Sequence, residues 1–418
     1  MLLQKFFEIL FSLFELIIDY LYLILSYISL FFTDTSSAFA VLSFGLVDAF
    51  LSTLLFLLII PLILFFGKRF RFITGKLNFS FGFLIVLGFV FLFAPIISNE
   101  NPEFSKNLSV TKLLPPFSSV KQLELKSEIN NNLSDTDLFR KESNEIIKPS
   151  FNDNIIFADT VKISEKITYY QKNEAYEIDK ELLNGESGVP IIKEKFFLLG
   201  TDEFGRDLFV RLIYGTRISL SVGIGAVVLS FLIGMILGFI AGYGGGFPDI
   251  LLNRFTEIFL AFPVIYLVIL ILALFGSSIF SVIIVLGVSG WMSLFKIVKS
   301  EVLSIKQKDF FSTAELVGLS KYKLLSKEIL PVIIVPVLVN LVFLFSNVVL
   351  AEAALSYLGL GTGNTYPSWG SMISSGQEYI TKAWWLIAFP GLGLILTLFS
   401  FNSSGRMLGR IINPRLRK

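Results

Sequence analysis

The sequence predicts an all-α polytopic membrane protein interrupted by one small extramembrane insert, α+β or β-rich. Three observations predict it. Of 418 residues, 54% are apolar and only 16% charged, against roughly 25% charged in ordinary globular chains. Mean hydropathy is +0.74, a level that calls for lipid as the solvent. Apolar runs of bilayer-crossing length recur along the chain, and a single long polar stretch, 99–197, breaks the series.

Taken in order, eight runs are expected to span: 6–33, 39–66, 79–97, 217–241, 251–275, 279–298, 331–355 and 385–404. Each must be helical, because lipid offers no partner to a bare backbone group. The N-terminal apolar stretch is too long for a signal-peptide core and reads as retained membrane segments. In the first run Glu8, Glu15 and Asp19 fall on one helix face. That face is expected at the interface, or packed against protein or water.

The stretch 99–197 holds 17 Asp and Glu against 13 Lys and Arg. Ile155-Ile156-Phe157 and Val161-Lys162-Ile163 suggest short strands, and Asn130 to Asp137 a flexible loop. Basic residues cluster at Lys68, Arg69, Arg71 and Lys76, at Lys306, Lys308, Lys321, Lys323 and Lys327, and at Arg406, Arg410, Arg415, Arg417 and Lys418. With alternating spans all three clusters share one side, which the positive-inside rule makes cytoplasmic. Both termini are then cytoplasmic and the insert is outside.

The composition excludes much chemistry. The chain has no Cys and no His, which removes thiol nucleophiles, disulfides, thiolate or imidazole metal sites and Ser-His triads. No carboxylate cluster has metal-ligand spacing. A net charge of +2 implies no nucleic-acid partner. No G-x-x-x-x-G-K-[ST] occurs, so ATP is not bound by a phosphate loop here.

The loop 299–331 carries a patterned segment. Asp309 can cap a helix from Phe310 to Val317, and Gly318 sits where a left-handed cap would end it. Ser320 can cap a second helix, Lys321 to Leu330, before Pro331 opens the next span. Small Ser312, Thr313 and Ala314 would let another protein approach the backbone closely; an ordinary basic loop fits the spacing as well. The Gly242–Gly246 run reads as a tight turn, since no Lys-Ser/Thr follows it. Arg206, Asp207, Arg211 and Arg217 precede a span and are expected on a solvated or interfacial helix with salt bridges, or at a docking face or outer gate. Glu352 sits near a span end, where intramembrane carboxylates usually pair; it is also a candidate for the pathway. Trp384 and Trp385 are expected to anchor at the interface, and Trp369 there or across the outer loop.

These segments resemble the C-type permeases of oligopeptide, dipeptide and nickel ABC importers. Ala314, Gly318, Leu330 and Pro331 match the loop pattern E-A-A-x-x-x-G-x9-I-x-L-P, with Ser312, Thr313 and Glu328 departing from it. Further matches are Leu199-Gly200-Thr201-Asp202-Glu203-Phe204-Gly205-Arg206-Asp207 with Arg211 and Arg217, and Ala241 to Gly246 with Asp249 and Ala261-Phe262-Pro263. Glu352-Ala353, Leu355 to Gly361, Pro367-Ser368-Trp369-Gly370 and Pro390-Gly391 continue the series. Phe197 stands near a usual His, and Lys296 and Lys299 where Arg is common. The likeness covers about 68–98 and 198–418. It implies a type I permease core of six spans, an extra N-terminal hairpin at 1–67, a first core span at 68–98, an extracytoplasmic insert at 99–197 and a permease core at 198–418. It also implies no catalysis in this chain, a sister permease, two ABC ATPase subunits that bind ATP and Mg, and an extracytoplasmic solute-binding protein. Asp309, Ser312, Thr313, Ala314, Gly318, Leu319, Ser320, Leu330 and Pro331 would form the ATPase-coupling loop. Peptides are the expected solute. Nickel or another small solute on the same scaffold, or a membrane scaffold or sensor acting through 99–197, are the alternatives.

Overall fold

In a computed structural model the protein is described at residues 2–33, 35, 38, 46–58, 79–98, 100–126, 139, 143, 154–164, 166–186, 189–261, 263–320, 323–362 and 366–412. Six helices among these are long and apolar enough to cross a membrane: Glu15–Thr33, Phe79–Ile97, Leu208–Gly244, Ile279–Lys306, Leu324–Tyr357 and Trp385–Arg410. The chain divides into two compact units. One comprises Met1–Leu77, Gly88–Arg217 and Ser375–Phe389; the other comprises Asn78–Leu87, Ile218–Ser374 and Pro390–Lys418.

The first unit opens with α1 (Leu2–Thr33) and α2 (Leu46–Leu58), which pack against the end of α3 (Phe79–Ile97). Leu16, Tyr20 and Leu23 of α1 meet Leu46 and Ala49 of α2 and Phe93 and Ile96 of α3 in one core. Pro95 brings no N–H to the helix ladder, and α3 bends at Phe93 (φ −113°, ψ 20°). Side chains of the first two helices take the carbonyls near that bend. Ser52 Oγ donates to Leu92 O at 2.8 Å and Tyr20 OH to Pro95 O at 3.0 Å. Glu15 and Asp19 lie on the exposed side of α1; the Glu8 side chain lies outside the described residues.

The described residues of the insert hold a short helix, α4 (Leu108–Thr111), one 3-10 turn (Lys180–Leu182) and antiparallel strands. β1 (Ser118–Glu124) runs between β2 (Ile155–Ala158) and β8 (Ile192–Phe197). β3 (Thr160–Ile163), β4 (Ile167–Gln171) and β5 (Glu174–Ile178) form a meander, and β6 (Gly185–Glu186) pairs with β7 (Val189–Pro190). The β-branched runs at 155 and 161 do form strands. Phe197 closes a core with Val110, Val120 and Phe157, so the departure from the family's polar residue serves packing. The Asn130–Asp137 loop lies outside the described residues, as do the basic residues at 68–76 and 415–418.

The second unit is built on α5 (Leu208–Gly244), of which residues from Ile218 belong to it. α6 (Gly246–Ala261), α7 (Val264–Phe275) and α8 (Ile279–Lys306) follow. Glycines set the α5–α8 crossing. A Cβ at Gly234 would meet Leu294 Cβ at 2.6 Å, at Gly238 Val298 Cβ at 2.7 Å, and at Gly242 Val302 Cβ at 2.9 Å. Residue numbers rise together along both helices, so α5 and α8 run parallel. The chain must therefore return between them, and α6 with α7 makes the return. The single span expected at 251–275 is corrected here: it is two helices, divided before Pro263, whose ring cannot continue a helical ladder. The span expected from 217 starts nine residues earlier, at Leu208.

α9 (Asp309–Leu316) follows, then a π-helical turn, Leu324–Ile329, continuous with α10 (Leu330–Tyr357). The helix break expected at Leu330-Pro331 is absent. Leu330 N–H reaches back five residues to Leu325 O, and the widened turn takes a proline ring that an α-turn would clash with. α11 (Trp369–Gly376) and α12 (Trp385–Ile412) complete the chain. α12 packs antiparallel on α10, with Phe401 on Phe345 and Gly405 against Val342 and Phe343.

Candidate functional site

Three clusters gather the residues singled out by sequence. The first is α9 and its surroundings. The first helical residue is Asp309, so it is not the cap: Lys308 holds that position with extended backbone and no side-chain cap bond. A carboxylate in the first turn still suits the helix dipole. Phe311 is buried among Val302 and Ile305 of α8, Leu324 and Ile329 of the π-turn and Ile333 of α10. Ser312 and Thr313 face solvent, Ala314 is half-buried, and Thr313 Oγ1 returns a bond to Asp309 O at 2.8 Å.

The exit from α9 is a full Schellman motif. Gly318 N–H donates to Glu315 O at 3.0 Å and Leu319 N–H to Ala314 O at 3.3 Å, with Gly318 at φ +82°. That is the left-handed residue the sequence predicts, and Leu319 packs beside Ala314 as the motif's apolar contact. Ser320 O accepts from Leu324 N–H at 3.0 Å. Leu330 and Pro331 fall at the join of π-turn and helix. The exposed side of α9 ends in large apolar groups: Leu316 is 88% and Val317 77% exposed, and Phe310 is exposed as well. Behind α9, Lys306 Nζ donates to Tyr243 O at 2.9 Å and Lys299 pairs with Asp249 at 2.5 Å. Gly245 and Gly246 both take positive φ, so the glycine run is the tight turn that spacing suggested.

The second cluster corrects an expectation. Arg206, Asp207 and Arg211 do not ride a solvated helix. Arg211 and Asp202 are buried in a network closed by residues from the start of the insert. Arg206 bonds Asp202 at 2.7 Å and also pairs with Glu103. Arg211 bonds Glu103 at 2.5 Å and approaches Asp202 at 3.4 Å. Lys195 pairs with Glu100 and reaches Asp207 at 3.5 Å. Burial pulls the Lys195 ammonium down, but Glu100 and Asp207 outweigh it and its pKa is raised. Burial likewise raises the Asp207 carboxyl, against the pull of Lys195. Burial raises Glu203 too, and its Oε2 has no hydrogen-bond partner.

Thr201 ties this network to the insert: its hydroxyl donates to Thr111 O and accepts from Leu114 N–H at 2.8 Å. The two motif glycines are required by that approach. A Cβ at Gly200 would lie 2.4 Å from Leu114 O, and one at Gly205 2.1 Å from Thr111 Oγ1, both at positive φ. Trp385 is buried, its indole N–H donating to Thr201 O at 3.2 Å, which corrects its reading as an interface anchor; Trp384 is exposed. Arg217 stands apart from the network and forms a two-bond pair with Asp48 of α2, at 2.5 and 2.6 Å.

The third cluster is Glu352, fully buried. Ser219 Oγ donates to its Oε2 at 2.9 Å and Ser356 Oγ to its Oε1 at 2.6 Å. Sequence reasoning missed Glu100, Glu103, Asp48, Phe311 and the two serines on Glu352 as partners. Glu100 and Glu103 carried a signal: two carboxylates just past the end of a span.

The class these features fit is a polytopic helical membrane protein with a short loop helix exposing an apolar tip. The sequence model for the inner-membrane component of binding-protein-dependent transport systems matches residues 234–418. The chain is 41% identical over 53% of its length to an oligopeptide transport system permease protein, OppC, of Haemophilus influenzae, covering 71% of that protein. It is 36% identical to a dipeptide transport system permease protein, DppC, of Bacillus subtilis over 56% of this chain and 72% of that one. A solved methionine ABC transporter in inward-facing form is similar at TM-score 0.39 and 17% identity, over 48% of this chain and 97% of that one. The chain belongs to the family of binding-protein-dependent transport system inner-membrane components.

Proposed function

We propose that this chain forms half of the translocation pathway of an ATP-driven peptide importer and couples it to cytoplasmic ATPase subunits through α9. The observation that carries this reading is the build of α9. It is rooted by one buried phenylalanine between two long helices, stopped by a left-handed glycine, and tipped with exposed Phe310, Leu316 and Val317. A knob of this kind in a partner's cleft would move α8 and α10 as one body, without covalent chemistry here. Asp309, Ser312, Thr313, Ala314, Gly318, Leu319, Ser320, Leu330 and Pro331 make up the coupling loop. The partners are a sister permease, two ATPases holding ATP and Mg, an extracytoplasmic solute-binding protein, and lipid. The names of the relatives support peptides as the solute.

For orientation, the lysines of the 299–331 loop support making its side of the membrane cytoplasmic. Both termini are then inside. The segments 1–67, 68–98, 99–197 and 198–418 act as accessory hairpin, first core span, outer domain and core.

The chain has no cysteine, so one cysteine placed at Leu316 reports alone. In the reconstituted complex it is expected to cross-link to an ATPase subunit, and a labelled oligopeptide is expected to enter liposomes only with ATP. Gly318→Pro, which cannot adopt φ +82°, is expected to abolish uptake while the protein stays in the membrane. Labelling of that cysteine from the outside, or full uptake by the proline variant, overturns the reading.

A further inference from the structure

Each membrane-crossing helix must give its outward face something to touch. α5 presents Val228, Leu232 and Ile236, and α8 presents Phe280, Ile284 and Val288, spaced by four and all exposed. Such rows suit lipid, which offers no hydrogen-bond partner. The open face of α10 is different. It carries Asn347 and Ala354, both exposed, with Asn340 and Ala351 half-buried beside them. Asn340 and Asn347 lie two turns apart and so share a face. Each stands ten residues from one end of the helix Leu330–Tyr357. At about 1.5 Å per residue that is about 15 Å, which puts both amides near the middle of a span.

Other polar side chains in these spans are satisfied on their own helix. Ser346 Oγ donates to Val342 O at 3.3 Å, Thr397 Oγ1 to Gly393 O at 2.7 Å and Asn402 Nδ2 to Leu398 O at 2.8 Å. Among the described residues neither Asn340 nor Asn347 has such a bond. Asn340 Oδ1 is enclosed without a partner, and the Asn347 amide projects unpaired from the exposed side of the helix. Lipid around Asn347 would leave two donors and one acceptor without bonds, a costly state. A neighbouring span offers little more, because its own backbone groups are already paired. Water offers donors and acceptors freely, and an extended peptide offers an N–H and a C=O at almost every residue.

We propose that the Asn340–Asn347 face of α10 lines a water-filled solute route, and that Asn347 exchanges hydrogen bonds with the backbone of the passing peptide. Ala351 and Ala354 leave room beside it, since neither carries a side chain beyond Cβ. A side-chain amide reads the peptide unit and not what hangs from it, so this contact suits solutes of many sequences. The inference rests on the permease reading and names the residues that touch the solute within it.

The test uses the full complex with its partner subunits in proteoliposomes. The chain has no cysteine, so Asn347→Cys and, from the aliphatic row of α5, Leu232→Cys each report alone within it. A charged methanethiosulfonate is added on both sides of the membrane. The thiol at position 347 is expected to react at least about tenfold faster than the one at 232, because the reacting thiolate needs water. Saturating tri-alanine is expected to slow that reaction. Ala354→Cys, on the same face, stands in if the variant at 347 fails to assemble. Asn347→Leu is expected to raise the KM for tri-alanine uptake by about five- to tenfold, the scale of one hydrogen bond, with Asn347→Gln within about twofold of the parent. A thiol at 347 no faster than one at 232 puts this face against lipid or a neighbouring span and overturns the proposal. So does a reaction that tri-alanine leaves unchanged in a complex that imports it. A leucine variant with the parent's KM overturns the backbone contact. A complex that never imports tri-alanine with ATP tells against the permease reading instead, and the comparison of 347 with 232 still decides whether the face is wet.

Discussion

Gly238→Val tests the α5–α8 crossing most directly. Carbon atoms pack best at about 3.5–4.0 Å, whereas a Cβ at Gly238 would sit 2.7 Å from both Val298 Cβ and Cγ1 and 3.2 Å from Phe295 O. The obstacle is the root of a β-branched side chain and backbone, so no rotamer change relieves it. The helices must part by about 1 Å, and overpacking of that kind costs about 1–3 kcal/mol. Alanine recovers up to about 1 kcal/mol of helix propensity, so Gly238→Ala is expected to lose about 1 kcal/mol and Gly238→Val about 3 kcal/mol. Gly88, with nothing within 4 Å of its would-be Cβ, supplies the contrast: Gly88→Ala is expected to gain up to about 1 kcal/mol. Denaturant unfolding in detergent micelles, followed by Trp fluorescence, measures all three. A valine variant as stable as the parent would mean that small residues do not set this crossing.

Three further predictions follow from the other clusters. Phe311→Ala removes the root of α9 and, at about 3–5 kcal/mol for a buried Phe, is expected to abolish uptake with normal membrane insertion; uptake above half of normal contradicts it. Asp48→Ala and Arg217→Ala are each expected to destabilise by about 2 kcal/mol, between an exposed and a buried pair, and the double variant by clearly less than the sum; strict additivity in a double-mutant cycle denies the pairing. Glu203→Gln tests the raised Glu203 pKa. A carboxyl whose folded pKa is raised stabilises below its unfolded pKa, about 4.3, and loses that contribution as pH rises. The variant is therefore expected to melt higher than the parent at pH 7.5 and equally at pH 4, and the same difference at both pH values refutes the shift.

Much of the architecture was legible because lipid forces it. Apolar runs had to be helices, and the polar stretch 99–197 stands out as the part that holds strands. The Gly318 turn was legible because a left-handed residue after an amphipathic turn is a local signal. What was missed is non-local. In the run 251–275 Arg254, Glu257 and Pro263 weigh against a single span without outweighing its hydropathy, and the parallel glycine contacts of α5 and α8 show the broken return. Pro331 reads as a helix opener, yet the π-turn before it lets the helix run through. The charges of 202–211 read as solvated because their partners, Glu100 and Glu103, lie about a hundred residues earlier, beyond any periodicity. Trp385 was misread for the same reason, since its acceptor is Thr201 O.

The tie of Thr201 to Thr111 and Leu114 means that the chain leaves for the insert and comes back through one doorway. All three sheets of the described residues lie between those two points, within 115–199. A short reverse turn bridging Leu114 to Gly200 would keep the Arg206 and Arg211 pairs with Glu103 and lose the Lys195 pairs with Glu100 and Asp207. A foreign folded module whose ends lie close together would fit the same stem.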